Sequence, residues 1–399
     1  MSLALAAPPL LARPAAAPSA RVLSLDALRR RAGAWDRLVA EAADAHPFFS
    51  RRVVEAHVAN GIGPAPSALA VAEGDRLLAL LPLLPRRRRI GLWRPCVSGW
   101  GSAYTCNGTP LVAADRIGEA AEGLLDGMAE ISSGYWLLPA LAGEGPVTAA
   151  LRDGLQRRGW PHGILSAGER AVLDRRADQA AYAAHLSRNR RKALRRHHAR
   201  LANLGCLEHR VACGDAALEE AVGAFLALEA RGWKGRRGTA LALQPETERF
   251  ARDLFRGGGG PVVPRADLLL LDGRPVAASL ALVCGGTAHL LKSAYDETLR
   301  AHGPGVLLEA AIVQALHANR FAERLDSCAL PGNPLDDLYP DRATTGDLLL
   351  HAGPLPGPRF LATAAAEAQV RHGRLTAKTG FGTLRLWAEQ VRVRWTGEA

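Results

Sequence analysis

A chain of 399 residues, 48% hydrophobic and 22% charged, has the make-up of a globular protein with room for two cores, which excludes a disordered chain. No stretch approaches the roughly 18 uncharged apolar residues of a membrane span. A formal charge of +11 calls for an anionic partner, although heavy alanine, arginine and glycine usage also fits a GC-rich coding bias.

Residues 1–22 are small, apolar and proline-broken, with no positive residue before the apolar part. They read as a flexible tail rather than a secretory signal. The six cysteines (Cys96, Cys106, Cys206, Cys213, Cys284, Cys328) show neither CxxC spacing nor a ligand-like pairing with histidine. They read as reduced thiols of a cytoplasmic protein, with no metal site indicated. A helix is expected over 25–45, with Leu28, Trp35, Leu38 and Val39 inward, then a short helix over 53–58. Two apolar runs, 68–72 and 77–81, flank Glu73-Gly74-Asp75 as a hairpin. The arginine run 86–89 reads as a solvated loop. A helix over 117–131, a strand at 135–138, a helix to about 158 and a strand at 171–173 complete this half.

From 178 to 203 the composition changes. The helix announced by Ser187 carries arginines and lysines from Arg188 to Arg200, no acid, and only a narrow apolar stripe of Leu194 and Leu201. Such a helix suits RNA, an anionic membrane surface or a phosphorylated ligand, and reads equally as a solvated linker. Arg188 is its candidate substrate contact. A helix from Asp215 then ends in a loop where Trp233 and Lys234 stand among further cations, a composition suited to a substrate loop. After a helix over 244–255, strands at 268–271, 275–284 and 287–294 form an antiparallel meander. Gly303-Pro304-Gly305 opens a long helix, and a strand follows at 324–330, parallel to the third meander strand.

A strand running into a glycine loop and a helix N-terminus is an anion site: the first helical N–H groups lack partners and the dipole favours negative charge. The first half repeats the order of elements more faintly. The fold class is therefore α/β with a mixed sheet, in two related domains over 23–176 and 177–353, followed by a basic helical extension over 354–399.

This order resembles the GNAT acyltransferase fold. The strings S-x-N-x-R-x-x-L-R-R at 187–196, F-L-x-L-E-A-x-G-W-K-G-x-x-G-T-A-L at 225–241 and L-K-x-A-Y-D-E at 291–297 are similar to the CelD-type, cellulose-biosynthesis-associated acetyltransferase group, akin to the Fem-type aminoacyltransferases. The resemblance implies tandem GNAT-like domains and an acetyl-CoA or other acyl-CoA co-substrate. The pyrophosphate loop Q/R-x-x-G-x-G/A falls on Arg300, Gly303 and Gly305. Pro304 removes one amide, leaving the cradle to the N–H groups of Gly305, Val306 and Leu307.

Acyl transfer from a thioester to an amine needs a held carbonyl, a deprotonated amine and a proton for the thiolate. The resemblance places the first on a backbone amide among Lys292, Ser293, Ala294 and Tyr295. Glu229, Asp296 and Asp326 are the candidate bases and Tyr339 the candidate general acid. Glu229 and Asp296 read equally as structural residues, and Cys328 is set aside as a nucleophile because nothing nearby in sequence supplies a histidine. The expected activity is an acyl-CoA-dependent N-acyltransferase acting on a small molecule or cell-envelope precursor. The alternative is an aminoacyl-tRNA-dependent transferase or an RNA-binding protein, and the basic helix allows peripheral membrane contact.

Overall fold

The computed structural model describes residues 18–329 and 332–379. The tail ends sooner than expected, because Ser19–Leu23 (β1) adds an edge strand to Ser67–Glu73 (β2). The rest of the tail lies outside the described residues. The helix expected over 25–45 is two, Leu25–Arg29 (α1) and Ala32–Glu41 (α2), broken at Arg31 with φ −108° and ψ 30°. Leu28 and Trp35 are both buried in the core. Ser50 caps Arg51–Ala59 (α3), its Oγ accepting the Val53 N–H at 3.3 Å.

Arg76–Leu83 (β3) closes the hairpin with β2, and Gly74 sits in the turn at φ +58°. Half of the arginine run is strand, since Arg88–Ile90 (β4) pairs with Arg94–Ser98 (β5). Leu111–Val112 (β6) joins β3. Then follow Ile117–Ile131 (α4), Tyr135–Ala142 (β7), Pro146–Arg157 (α5) and the long strand His162–Asp174 (β8).

The second half runs Gln179–His185 (α6), Arg188–Ala202 (α7), Leu207–Val211 (β9), Asp215–Arg231 (α8), Trp233–Arg236 (α9) and Pro245–Leu254 (α10). The meander is Val263–Leu271 (β10), Arg274–Cys284 (β11) and Thr287–Tyr295 (β12), antiparallel as expected. Pro304–Asn319 (α11) leads to Arg324–Asp326 (β13), which lies parallel to β12. β13 is shorter than the strand expected over 324–330, because the chain turns away at Cys328, whose φ is +48°. Asp341–His351 (β14) and Gly357–Thr379 (α12) end the described chain.

The ten-stranded sheet has the order β4-β5-β7-β14-β8-β13-β12-β11-β10-β9, and β1-β2-β3-β6 form a second sheet. β14 lies antiparallel between β7 and β8, both of the first half. A boundary at 176/177 therefore does not divide the sheet: the second half returns a strand to the first. α12 covers that returned strand, with Phe360 and Ala364 packed into a core cluster that includes Leu137 and Leu349. Gly91 is obligatory beneath it, because a Cβ there would stand 2.4 Å from the Glu367 nitrogen.

Candidate active site

β12 and β13 pair over only three positions, from Thr287↔Arg324 to His289↔Asp326. Beyond them β12 runs on to Tyr295 while the other chain peels off. A bulge also falls on Leu291, because Leu280 faces Lys292 while Ala281 already faces Leu290. The wedge between the strands opens into a cavity of about 490 Å³, walled by residues 290–295 on one side and 327–329 on the other. Eight of the nine expected cofactor contacts, Lys292, Ser293, Ala294, Tyr295, Arg300, Gly303, Gly305 and Val306, line it.

The mouth is the N-terminus of α11. Gly303 caps the helix at φ +62° and ψ 46°, a conformation glycine adopts without Cβ strain. Pro304 is the first helical residue, where the missing N–H breaks no helical bond. The Leu307 N–H, expected in the cradle, instead donates to the Gly303 carbonyl at 3.0 Å. Its side chain turns to a different cavity, shared with Leu194 and Leu269. Among the described residues no backbone carbonyl takes the N–H of Gly305 or Val306. The cradle thus has two amides, not three. Tyr295 lies over it, and a Cβ on Gly305 would stand 3.2 Å from its ring.

The expected catalytic side chains scatter. Glu229 is buried at the end of α8, its oxygens accepting from Lys234 Nζ at 2.8 Å and from the Leu241 N–H at 2.8 Å. Lys234 does reach the cavity. Burial and the Lys234 charge push Lys292 below the usual lysine range, with Glu229 pulling the other way, and its ammonium sits 4.9 Å over the Tyr104 ring. Asp296 caps the short turn after β12, its Oδ1 accepting from the Thr298 N–H at 3.0 Å and hydroxyl at 2.7 Å. Asp326 is buried, with Oδ2 taken by Arg170 at 2.6 Å and Oδ1 by the Cys328 N–H at 2.9 Å. Neither Asp296 nor Asp326 lines the cavity. Trp233 is half exposed, with Arg237 5.2 Å from its ring. The second glycine of the G-W-K-G string, Gly235, packs so closely that a Cβ would meet the Ala230 carbonyl at 1.7 Å. Arg188 is exposed at the head of α7, away from the cavity that His197 of the same helix lines.

Tyr339 is fully buried and donates its hydroxyl to Glu309 Oε2 at 3.2 Å. Glu309, overlooked in the sequence, lines the cavity and has Ser279 Oγ at 3.5 Å on its other oxygen. Burial, with some help from the Asp267 charge, pushes its carboxyl up to about 8 against the pull of the Tyr339 hydrogen bond. It therefore holds a proton near neutrality. The signal was present: an acid within Gly-Val-Leu-Leu-Glu-Ala-Ala-Ile is out of place in a helix buried on most sides.

Cys328 has a histidine after all. His289 Nδ1 lies 3.9 Å from its Sγ and 3.7 Å from Asp326 Oδ2. Yet burial raises the thiol well above its usual range and lowers His289 to about 4, so the imidazole is a poor base for it. One ring nitrogen faces both partners, and Arg170 already neutralises the carboxylate. The cluster is a buried polar knot at the junction of the two halves, not a nucleophilic triad.

A strand pair that splays beside a glycine-headed helix is the arrangement that the resemblance to the GNAT fold led one to expect. Residues 188–333 match the family model described as an acetyltransferase (GNAT) domain, which supports a transferase. The chain is similar in fold to FemX, at a TM-score of 0.54 and 11% identity over 84% of this chain and 98% of that one. It is also similar to the C-terminal domain assigned to a lysylphosphatidylglycerol synthetase of Agrobacterium fabrum, at 0.51 and 13% identity over 86% and 96%. A conserved protein of Bacteroides thetaiotaomicron aligns at 0.50 and 12% identity over 80% and 96%. Among curated proteins no match was found.

Proposed function

We propose that the protein is an acyl-CoA-dependent N-acyltransferase. The observation that carries this is the wedge between β12 and β13, which leads from the free amides of Gly305 and Val306 to a largely aliphatic interior. A pyrophosphate at those amides, neutralised by Arg300, lets the pantetheine arm lie along β12. The thioester carbonyl is then held by a backbone amide of the 292–295 stretch. An amine attacks that carbon, the C–N bond forms and the C–S bond breaks. The amine gives up a proton and the thiolate takes one. Glu309, protonated near neutrality and joined to Tyr339, is the group on the cavity wall best suited to carry that proton.

The acceptor comes from the other side. A second cavity of about 290 Å³ shares Cys328 and Ala329 with the first and is rimmed by Arg170 and the exposed carboxylate of Glu169. That carboxylate suits the ammonium of an incoming amine, whether a small molecule or a cell-envelope precursor. The test is thiol release from acyl-CoA in the presence of amine pools. Amine-dependent release is expected; neither release nor binding with any acyl-CoA contradicts the reading.

A second reading is favoured by one observation, the acid-free exposed face of α7 beside the mouth. It is aminoacyl transfer from tRNA, as the resemblance to Fem-type enzymes implies. It predicts tRNA binding whose affinity falls steeply with salt. The CelD-type assignment rests on the sequence strings above. Among the described residues no helix is long and apolar enough to cross a membrane.

A further inference from the structure

We propose that the same pocket also takes its acyl group from a small acidic carrier protein, whose 4′-phosphopantetheine arm enters the wedge while α7 docks the protein itself. This rests on the acyl-transfer reading above and names a second carrier for the donor. The first observation is a surplus of charge. Arg188, Arg191, Lys192, Arg195, Arg196 and Arg200 all face solvent, and none has an acidic partner among the described residues. They span about 18 Å of helix, at 1.5 Å per residue. The phosphates of one coenzyme A, seated at the mouth, would meet only the nearest of them. A helix of acidic side chains would meet the whole row.

The second observation is the mouth. With Pro304 lacking an N–H and the Leu307 N–H spent inside the helix, two amides remain beside Arg300. That set matches the single phosphate of a phosphopantetheine arm at least as well as a pyrophosphate. The third is continuity. The inward face of α7 puts His197 on the cavity wall against Gly303, so a protein held on the outward face has its arm at the mouth.

The same features weigh against other anionic partners. A membrane-bound helix needs apolar side chains on its outer face, whereas Leu201 of α7 is buried and Leu194 packs against the core. A nucleotide ester would have to bring a ribose and base to a wedge walled by Leu290, Leu291 and Leu308.

The experiment compares one acyl chain on coenzyme A and on an acyl carrier protein, at low and high salt, in the full-length protein and in the double variant Lys192→Glu, Arg196→Glu. The carrier-bound donor is expected to give about tenfold higher kcat/KM at low salt. That advantage should vanish in high salt and in the double variant, which keeps its melting temperature and its rate with acyl-CoA. Equal use of both donors, or a variant that loses both equally while still folded, overturns the proposal. So does transfer from aminoacyl-tRNA with none from the carrier protein. Failure of both pantetheine donors in the parent protein is a different result: it removes the acyl-transfer reading itself.

Discussion

In the first half β5 runs parallel to β7 over Cys96–Ser98, with α4 crossing between them; in the second, β12 runs parallel to β13 with α11 between. The first crossover is closed. Pairing continues past the ladder, with the Gly99 N–H donating to the Leu137 carbonyl at 2.9 Å, and Trp100 is buried just beyond. The head of α4 carries Arg116, tied to Glu119 at 2.6 Å and Glu73 at 3.2 Å, where α11 has a glycine loop. The second crossover is open because its outer strand leaves after Asp326. A pocket in this fold thus comes from where one strand stops pairing.

Five changes test that contrast. The largest effect is expected at the junction of the halves. Arg170→Met leaves the buried Asp326 carboxylate unpaired and should cost about 3–5 kcal/mol in chemical denaturation. At the mouth, Gly305→Glu puts a carboxylate against the two free amides and the Tyr295 ring. Calorimetry should show acyl-CoA affinity reduced by about 100-fold or more, roughly 2.7 kcal/mol. The matching change in the closed crossover, Gly118→Glu, has nothing within 4 Å of the new Cβ and should leave affinity unchanged.

Glu309 supplies a pH test. Its folded value of about 8 lies above the ordinary 4.5, so the stability tied to its protonated state is whole below 4.5 and drains away as pH rises towards 8. Glu309→Gln should therefore show a flatter stability profile across that window and be the more stable protein at its alkaline end. The same variant should slow acyl transfer more than it weakens acyl-CoA binding. The smallest effect is expected at Trp233, which is 46% exposed. Trp233→Ala should shift stability by no more than about 0.5 kcal/mol and change acceptor KM by a few-fold at most.

The meander, the crossover helix and the parallel last strand were legible in the sequence because each rests on local signals: alternation, glycine turns, a helix period. The placement of β14 was not. No strand was expected over 341–351, and nothing local says that one inserts between β7 and β8. The spacing of Arg300, Gly303 and Gly305, read through the resemblance to the GNAT pyrophosphate loop, picks out residues that line the cavity. The Leu307 amide was misjudged because Gly303 is the helix cap, which makes Leu307 the first residue whose N–H has a helical acceptor, a matter of register rather than composition. His289 beside Cys328 could not be read, since parallel pairing across α11 brings together residues 39 apart. Glu309 could have been, had a lone acid in an apolar helix been weighed as heavily as acids in loops.

The wedge between β12 and β13 is proposed to hold a pantetheine thioester. Thermal-shift titration of the full-length protein with acyl-CoAs of graded chain length tests it most directly. A rise in melting temperature is expected for at least one chain length, lost in Gly305→Glu and kept in Gly118→Glu. No shift with any acyl-CoA, or a shift that survives Gly305→Glu, would contradict it.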